Sequence, residues 1–314
     1  MPSSRLINDR AFHHSDTRPI HRKVELPPAL DAPREHFATA HLKKVAYYVA
    51  GPEMGTPLVL LHSINAAPSA FEMKPLFDHY RVNRRVYVPE LPGFGFSDRS
   101  KRTYSPELFA NAINVFLSTI VKETADIVAF SLTSEFAARA ALAAPERFRS
   151  LALLSPTGFN KRRLPSGITS QILHRIFTLP LFGQALYNLV TVRPSIRYFL
   201  KRSYVGEPPK ELVDYAYVTS HQPGAKNAPF YFLSGQLFTP NAIQTLYAKL
   251  SLPVLAIYDR DANVSFELLP NFIRTHENWH SARIEPTLGI PQWERPQETI
   301  AALNAFWRDI TEKR

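Results

Sequence analysis

Apolar residues in this chain gather in short unbroken runs, at 45–49, 57–61, 86–88, 126–129, 151–154 and 254–258. Such runs are what strands covered on both faces require, because neither face then meets water. Between them lie longer stretches with helical spacing, at 106–121, 133–144 and 296–310. Strands and helices alternating at this distance predict βαβ units, and so an α/β fold with a mostly parallel central sheet flanked by helices.

The alternation breaks between Thr157 and Lys249. Residues 172–192 are rich in Leu, Ile and Phe but are interrupted by Pro180 and Gly183, and more prolines follow with Gly206, Gly224 and Gly235. This predicts a helical cap, inserted over the strand ends where loops build a site. Most of its large apolar residues are expected to pack among themselves and the rest to line a lipophilic pocket. The expected organisation is an N-terminal arm at 1–40, an α/β core at 41–156 and 249–314, and the cap at 157–248. The arm mixes Arg5, Arg10, Arg18 and Arg22 with Asp9, Asp16, Glu25 and Asp31. A transit peptide should be poor in acids, so the segment reads as an extended arm on a cytoplasmic protein.

Composition narrows the chemistry. The chain has no cysteine, which removes disulfides, thiolate metal sites and cysteine nucleophiles together. The net charge of +10 is compatible with nucleic acid, an anionic membrane surface or an acidic substrate. Its clusters Arg84-Arg85, Lys161-Arg162-Arg163 and Lys201-Arg202 are short, separate and not interleaved with stacking aromatics. No nucleic-acid partner is therefore expected, which leaves a solvated basic surface or peripheral attraction to anionic membranes. A dinucleotide fingerprint, a phosphate loop and clustered metal ligands are all missing, so no cofactor and no metal are expected.

One strand-to-helix turn carries candidate chemistry. In Ile127-Val128-Ala129-Phe130-Ser131-Leu132-Thr133-Ser134-Glu135 an apolar strand runs into a serine and then into an alanine-rich helix. A serine on so sharp a turn projects its hydroxyl above the sheet, and the N–H of Leu132 then points where an oxyanion develops. The alternative is an ordinary helix-capping serine. Glycines usually flank such a serine at two residues either side; here those positions are Ala129 and Thr133.

Further strings occur in a telling order: Leu60-Leu61-His62-Ser63-Ile64-Asn65, Glu90-Leu91-Pro92-Gly93-Phe94-Gly95-Phe96-Ser97-Asp98, Tyr258-Asp259-Arg260-Asp261 and Gln292-Trp293-Glu294-Arg295-Pro296. This order resembles the α/β-hydrolase superfamily, in its branch of lipase-, esterase- and dehalogenase-like enzymes with a helical cap. The resemblance implies that Ser131 is the nucleophile, Asp261 the triad acid, and the N–H groups of Ile64 and Leu132 the oxyanion hole. It also implies a histidine two residues before Pro291, and there the chain has Gly289.

That absence decides how the rest is weighed. A serine is a poor nucleophile until a base takes its proton, and removing one triad member costs on the order of four to six powers of ten in turnover. Two residues are candidate substitutes. His62 opens the loop that borders the nucleophile, against a structural role in holding that loop. Glu135 lies one turn beyond Ser131, against a role in complementing the helix dipole. Asn65 and Phe130 are candidates for contacting substrate, Asn65 against a loop-capping role. Asp98 is expected to brace its own turn and Asp259 to pair with Arg260 or a surface lysine. His276 and His280 are expected before the last strand, at its far end from the site; His221 falls in the cap, and His13, His14 and His21 in the arm. Two functions stay open: a serine hydrolase for a lipophilic ester or related acyl substrate with a non-standard base, or an inactive pseudo-hydrolase binding a lipophilic ligand. Lyase or oxygenase chemistry on the same scaffold is disfavoured, because such members mostly keep the histidine.

Overall fold

The computed structural model describes residues 25–161 and 167–312. Within them the apolar runs become one eight-stranded sheet: β1 (Arg34–Thr39), β2 (Lys43–Ala50), β3 (Leu58–Leu61), β4 (Val86–Pro89), β5 (Ala125–Phe130), β6 (Phe148–Leu154), β7 (Val254–Tyr258) and β8 (Trp279–Arg283). Their order is β1-β2-β4-β3-β5-β6-β7-β8. β1 pairs antiparallel with β2, and β2 with β4; every later pairing is parallel.

The continuous runs have the predicted cause. In β3, Val59 and Leu61 enter one apolar cluster and Leu58 and Leu60 the other, so both faces of the strand are covered. Helices supply the cover: α1 (Lys74–Tyr80), α2 (Pro106–Phe116) and α3 (Thr133–Ala143) come before β6, and α12 (Pro296–Glu312) closes the chain. Ser105 caps α2 by accepting the N–H of Leu108 at 3.3 Å, with Pro106 in the first turn. At the base of β5, Asp126 is fully buried and meets Arg84 at 2.8 Å and Arg149 at 2.9 Å.

Between β6 and β7 lie α4 (Ile168–Phe177), α5 (Pro180–Thr191), α6 (Arg193–Arg202), α7 (Lys210–Ser220), α8 (Asn227–Leu233) and the short α9 (Ala242–Thr245). After β7 follow α10 (Leu269–Arg274) and, just before α12, the single turn α11 (Pro291–Glu294).

Two expectations need correction. The segment taken as an arm does not stay off the core up to residue 40: Leu26, Ala29 and Leu30 are buried, Tyr48 Oη accepts the N–H of Ala29 at 2.8 Å, and β1 is one edge strand of the sheet. That strand has no apolar run to betray it, being exposed along most of its length. His280 lies inside β8 rather than before it. Residues 1–24, with His13, His14 and His21, and residues 162–166 lie outside the described residues.

Candidate functional site

β5 is buried throughout and delivers Ser131 at its C-terminal end. Ser131 has φ 55°, a left-handed conformation that costs a non-glycine residue about 1–2 kcal/mol. Two backbone bonds hold it there: its N–H donates to the carbonyl of Leu154 at 2.9 Å, and its carbonyl accepts the N–H of Ser134 at 3.0 Å. A helix-capping serine would be extended, and the N-cap of α3 is Leu132, so Ser131 sits in a sharp strand-to-helix turn rather than at a cap. Thr133, where glycine is usual, is fully buried, and its Oγ1 donates to the carbonyl of His62 at 2.7 Å. The larger side chain thus ties the serine turn to the loop after β3.

That loop is built around His62. The ring Nε2 accepts the N–H of Leu91 at 3.0 Å, which leaves Nδ1 protonated and donating to the carbonyl of Ser63 at 2.7 Å. Both nitrogens are occupied, the ring is wholly buried, and burial lowers its pKa to about 4. His62 does not line the cavity at Ser131. As a base it is therefore misplaced, and its geometry is that of a loop anchor.

Ser63, in the position of the usual glycine, meets a residue that sequence reasoning passed over. Glu72 accepts the N–H of Ser63 at 2.8 Å, its hydroxyl at 3.0 Å, and Nδ2 of Asn65 at 3.0 Å. Burial pushes the Glu72 carboxyl up to about 7, against those three donors. Asn65 Oδ1 accepts the N–H of Ala67 at 2.7 Å, so its amide is spent on its own loop although it borders the cavity. The only signal for Glu72 was a lone acid between Phe71 and Met73, with nothing to say which loop it would meet.

Asp261 follows β7. Its Oδ1 accepts the N–H groups of Asn263 at 2.7 Å and Val264 at 3.1 Å, while burial raises the carboxyl to about 6. Its Oδ2 faces Gly289, which adopts φ 128°. A Cβ on Gly289 would lie 2.6 Å from that oxygen, so the fold brings together the two positions at which the resemblance puts acid and imidazole. Glu294 steadies this loop, accepting the N–H of Leu288 at 2.9 Å and of Ile290 at 3.2 Å.

Ser131, Asp261, Gly289, Glu72, Asn65, Phe130, Ile64 and Leu132 all border one cavity of about 420 Å³. The segment between β6 and β7 contributes much of its apolar wall, including Ile196, Leu200, Leu212, Phe232 and Phe238. Among the described residues, none accepts a hydrogen bond from the N–H of Ile64 or Leu132, and no histidine lines the cavity.

The remaining candidates fall elsewhere. Glu135 is buried but not in the cavity wall: it accepts the hydroxyl of Thr157 and the N–H of Thr239 at 2.7 Å, and burial raises its pKa. It is a hub between α3 and the segment that follows β6, not a base beside the serine. Asp259 pairs with Arg260 at 3.7 Å as expected, but it is buried rather than solvated and also meets Arg283 at 3.1 Å and the N–H of Thr287 at 3.0 Å. Asp98 accepts the N–H of Ser100 within its own turn at 3.1 Å. His221 is exposed, with Nδ1 on the carbonyl of Tyr217 at 2.7 Å, and His276 stacks on Phe272 ahead of β8.

Comparison with known proteins agrees with the fold. A sequence model of the alpha/beta hydrolase fold family matches residues 56–264. An uncharacterized protein of Mycobacterium tuberculosis (strain ATCC 25618 / H37Rv) is 29% identical over 182 residues, 56% of this chain and 50% of its own length. The 2-hydroxymuconate semialdehyde hydrolase of Pseudomonas sp. (strain CF600) is 28% identical over 106 residues, 33% of this chain and 38% of its own. The chain thus spans half or less of the length of these curated relatives. Among solved structures, a probable hydrolytic enzyme from Pseudomonas aeruginosa PAO1 superposes with a TM-score of 0.72 at 17% identity, covering 88% of this chain and 95% of that one. A thermophilic esterase from Thermogutta terrifontis gives 0.67 at 18% identity, covering 89% and 99%. At such identities these structures speak for the fold.

Proposed function

The chain belongs to the α/β-hydrolase fold family, and from that premise we propose that it is a serine hydrolase of a lipophilic ester or related acyl substrate in which Asp261 serves as the base. One observation carries the choice. Of Glu72, Glu135 and Asp261, the first two accept hydrogen bonds on both oxygens, whereas Asp261 accepts on Oδ1 alone. Oδ2 of Asp261 is the acceptor left for a proton.

In this reading the hydroxyl of Ser131 gives its proton to Asp261 Oδ2, directly or through one water, as Oγ attacks the substrate carbonyl carbon. The N–H groups of Leu132 and Ile64 stabilise the oxyanion. Collapse breaks the ester C–O bond, and the departing alkoxide recovers the proton from Asp261. Water then hydrolyses the acyl-enzyme by the same route. A base near 6 is ionised at neutral pH yet keeps some basicity, which suits proton abstraction. Without an imidazole the enzyme is expected to be slow, and the apolar walls favour a lipophilic acyl chain.

The test is labelling by a fluorophosphonate probe. Wild type is expected to label slowly, faster as pH rises through about 6, with Ser131→Ala silent and Asp261→Asn at least about tenfold slower. Equal labelling of Ser131→Ala would overturn the reading. A second reading, a binding protein for a lipophilic ligand, is favoured by the histidine-free cavity wall. No labelling of folded wild type, together with a lipid extracted from the purified protein, would select it.

A further inference from the structure

The helices α4 to α6 turn outward what a protein ordinarily packs. Ile168, Ile172 and Ile176 recur every fourth residue, which sets them on one face of α4, and that face is exposed, at 75%, 52% and 39%. The residue α4 does bury is Ser170. Leu179, Phe182, Leu189 and Tyr198 continue the surface, each more than half exposed. Of the twelve large apolar side chains that stand exposed among the described residues, ten fall within 168–205. Such concentration marks an interaction surface, where scattered single residues would not.

Charge indicates what covers it. Between Glu146 and Glu207 the chain has no acidic residue, while α4 and α6 carry Arg175, Arg193, Arg197, Lys201 and Arg202. Arg193 is paired with Asp214 at 3.2 Å, and Arg197 and Lys201 share Glu207. Arg175 and Arg202 enter no ion pair among the described residues. A second copy of the chain meeting this face about a two-fold axis would bring further unpaired arginines to it and no free acid to meet Arg175 and Arg202. A surface both apolar and anionic meets no such penalty.

The patch also joins the cavity. Phe199 is 51% exposed and lines the cavity, and Ile196 and Leu200 of the same helix line it from within. We propose that α4 to α6 form a docking surface for an anionic lipid bilayer, with apolar side chains seated among the acyl chains, cations at the headgroups, and the cavity mouth at the contact. Among the described residues no helix is long and apolar enough to cross a membrane, so the contact is made at the surface.

Co-sedimentation of the full chain with vesicles tests this without turnover, so its outcome is independent of the chemistry at Ser131. Wild type is expected to sediment with vesicles of phosphatidylcholine and phosphatidylglycerol, about tenfold more weakly with phosphatidylcholine alone, and less as salt rises. Ile172→Glu with Leu189→Glu should abolish binding, and Arg175→Glu with Arg202→Glu should remove the anionic preference. These side chains are exposed, and unchanged thermal unfolding of the variants establishes that they fold. Wild type remaining in the supernatant with both vesicles would overturn the proposal. So would full binding by the Ile172→Glu, Leu189→Glu variant, or a homodimer that this variant dissociates while wild type ignores vesicles.

Discussion

Gly289 and Asp261 are so close that a side chain at 289 would begin 2.6 Å from the aspartate Oδ2. Together with φ 128° at Gly289, this means the missing imidazole is not restored by one substitution. Gly289→Ala and Gly289→His are each expected to cost about 1–3 kcal/mol through backbone strain and displacement of the carboxylate. Urea unfolding measures the cost, and neither variant should label faster than wild type with the fluorophosphonate. A Gly289→His protein that is stable and rapidly labelled would show that the loop accommodates a histidine after all.

Asp261 is predicted to be held against stability. Its folded-state value of about 6 lies above the ordinary carboxylate value, so the folded protein binds that proton more tightly than the unfolded chain does. The resulting penalty grows as pH rises from about 4 to 6 and is complete above that window. Asp261→Asn should therefore be about 1–3 kcal/mol more stable than wild type at pH 7–8, with the difference fading below about pH 4. Denaturation midpoints across pH give the answer, and a variant less stable at every pH would contradict it.

His62 has the opposite sign. Its pKa of about 4 is below the unfolded value, so the unfolded chain takes up the proton first and stability falls as pH drops from about 6.5 toward 4. Replacing it with glutamine should reduce neutral-pH stability by about 1–3 kcal/mol, since the N–H of Leu91 loses its partner. The same variant should lose less on acidification than wild type. An unchanged acid profile would remove His62 from the account.

Glu135 separates a structural carboxylate from a catalytic one. Glu135→Ala strands the N–H of Thr239 and the hydroxyl of Thr157, for an expected loss of about 2–4 kcal/mol. Glu135→Gln keeps an acceptor and should label within about threefold of wild type. Loss of labelling in a stable glutamine variant would instead return Glu135 to the chemistry.

Much of this was legible along the chain. The strands announce themselves because burial on both faces demands unbroken apolar runs, and β3, β5 and β7 coincide with those runs. Ser131, Asp261 and Gly289 were each readable from the residues beside them, and the fold brings them to one cavity. What escaped depends on distant packing. Glu72 matters because a loop nine residues earlier folds onto it. The burial of Glu135 follows from Thr239, over a hundred residues away, so a helix-dipole argument from its own turn had no access to it. The four-residue spacing in α4 defines an apolar face equally well whether it points in or out, so self-packing was the natural expectation for residues that in fact stand in solvent.

Glu135 has one more consequence. Its two oxygens hold Thr157, just past the departure from β6, and Thr239, near the return toward β7. The two ends of the segment that supplies much of the cavity wall are thus fastened at one point, four residues from Ser131. One carboxylate on the first turn after Ser131 therefore fixes where that long segment leaves the sheet and where it comes back, and a change at Glu135 reaches both places at once.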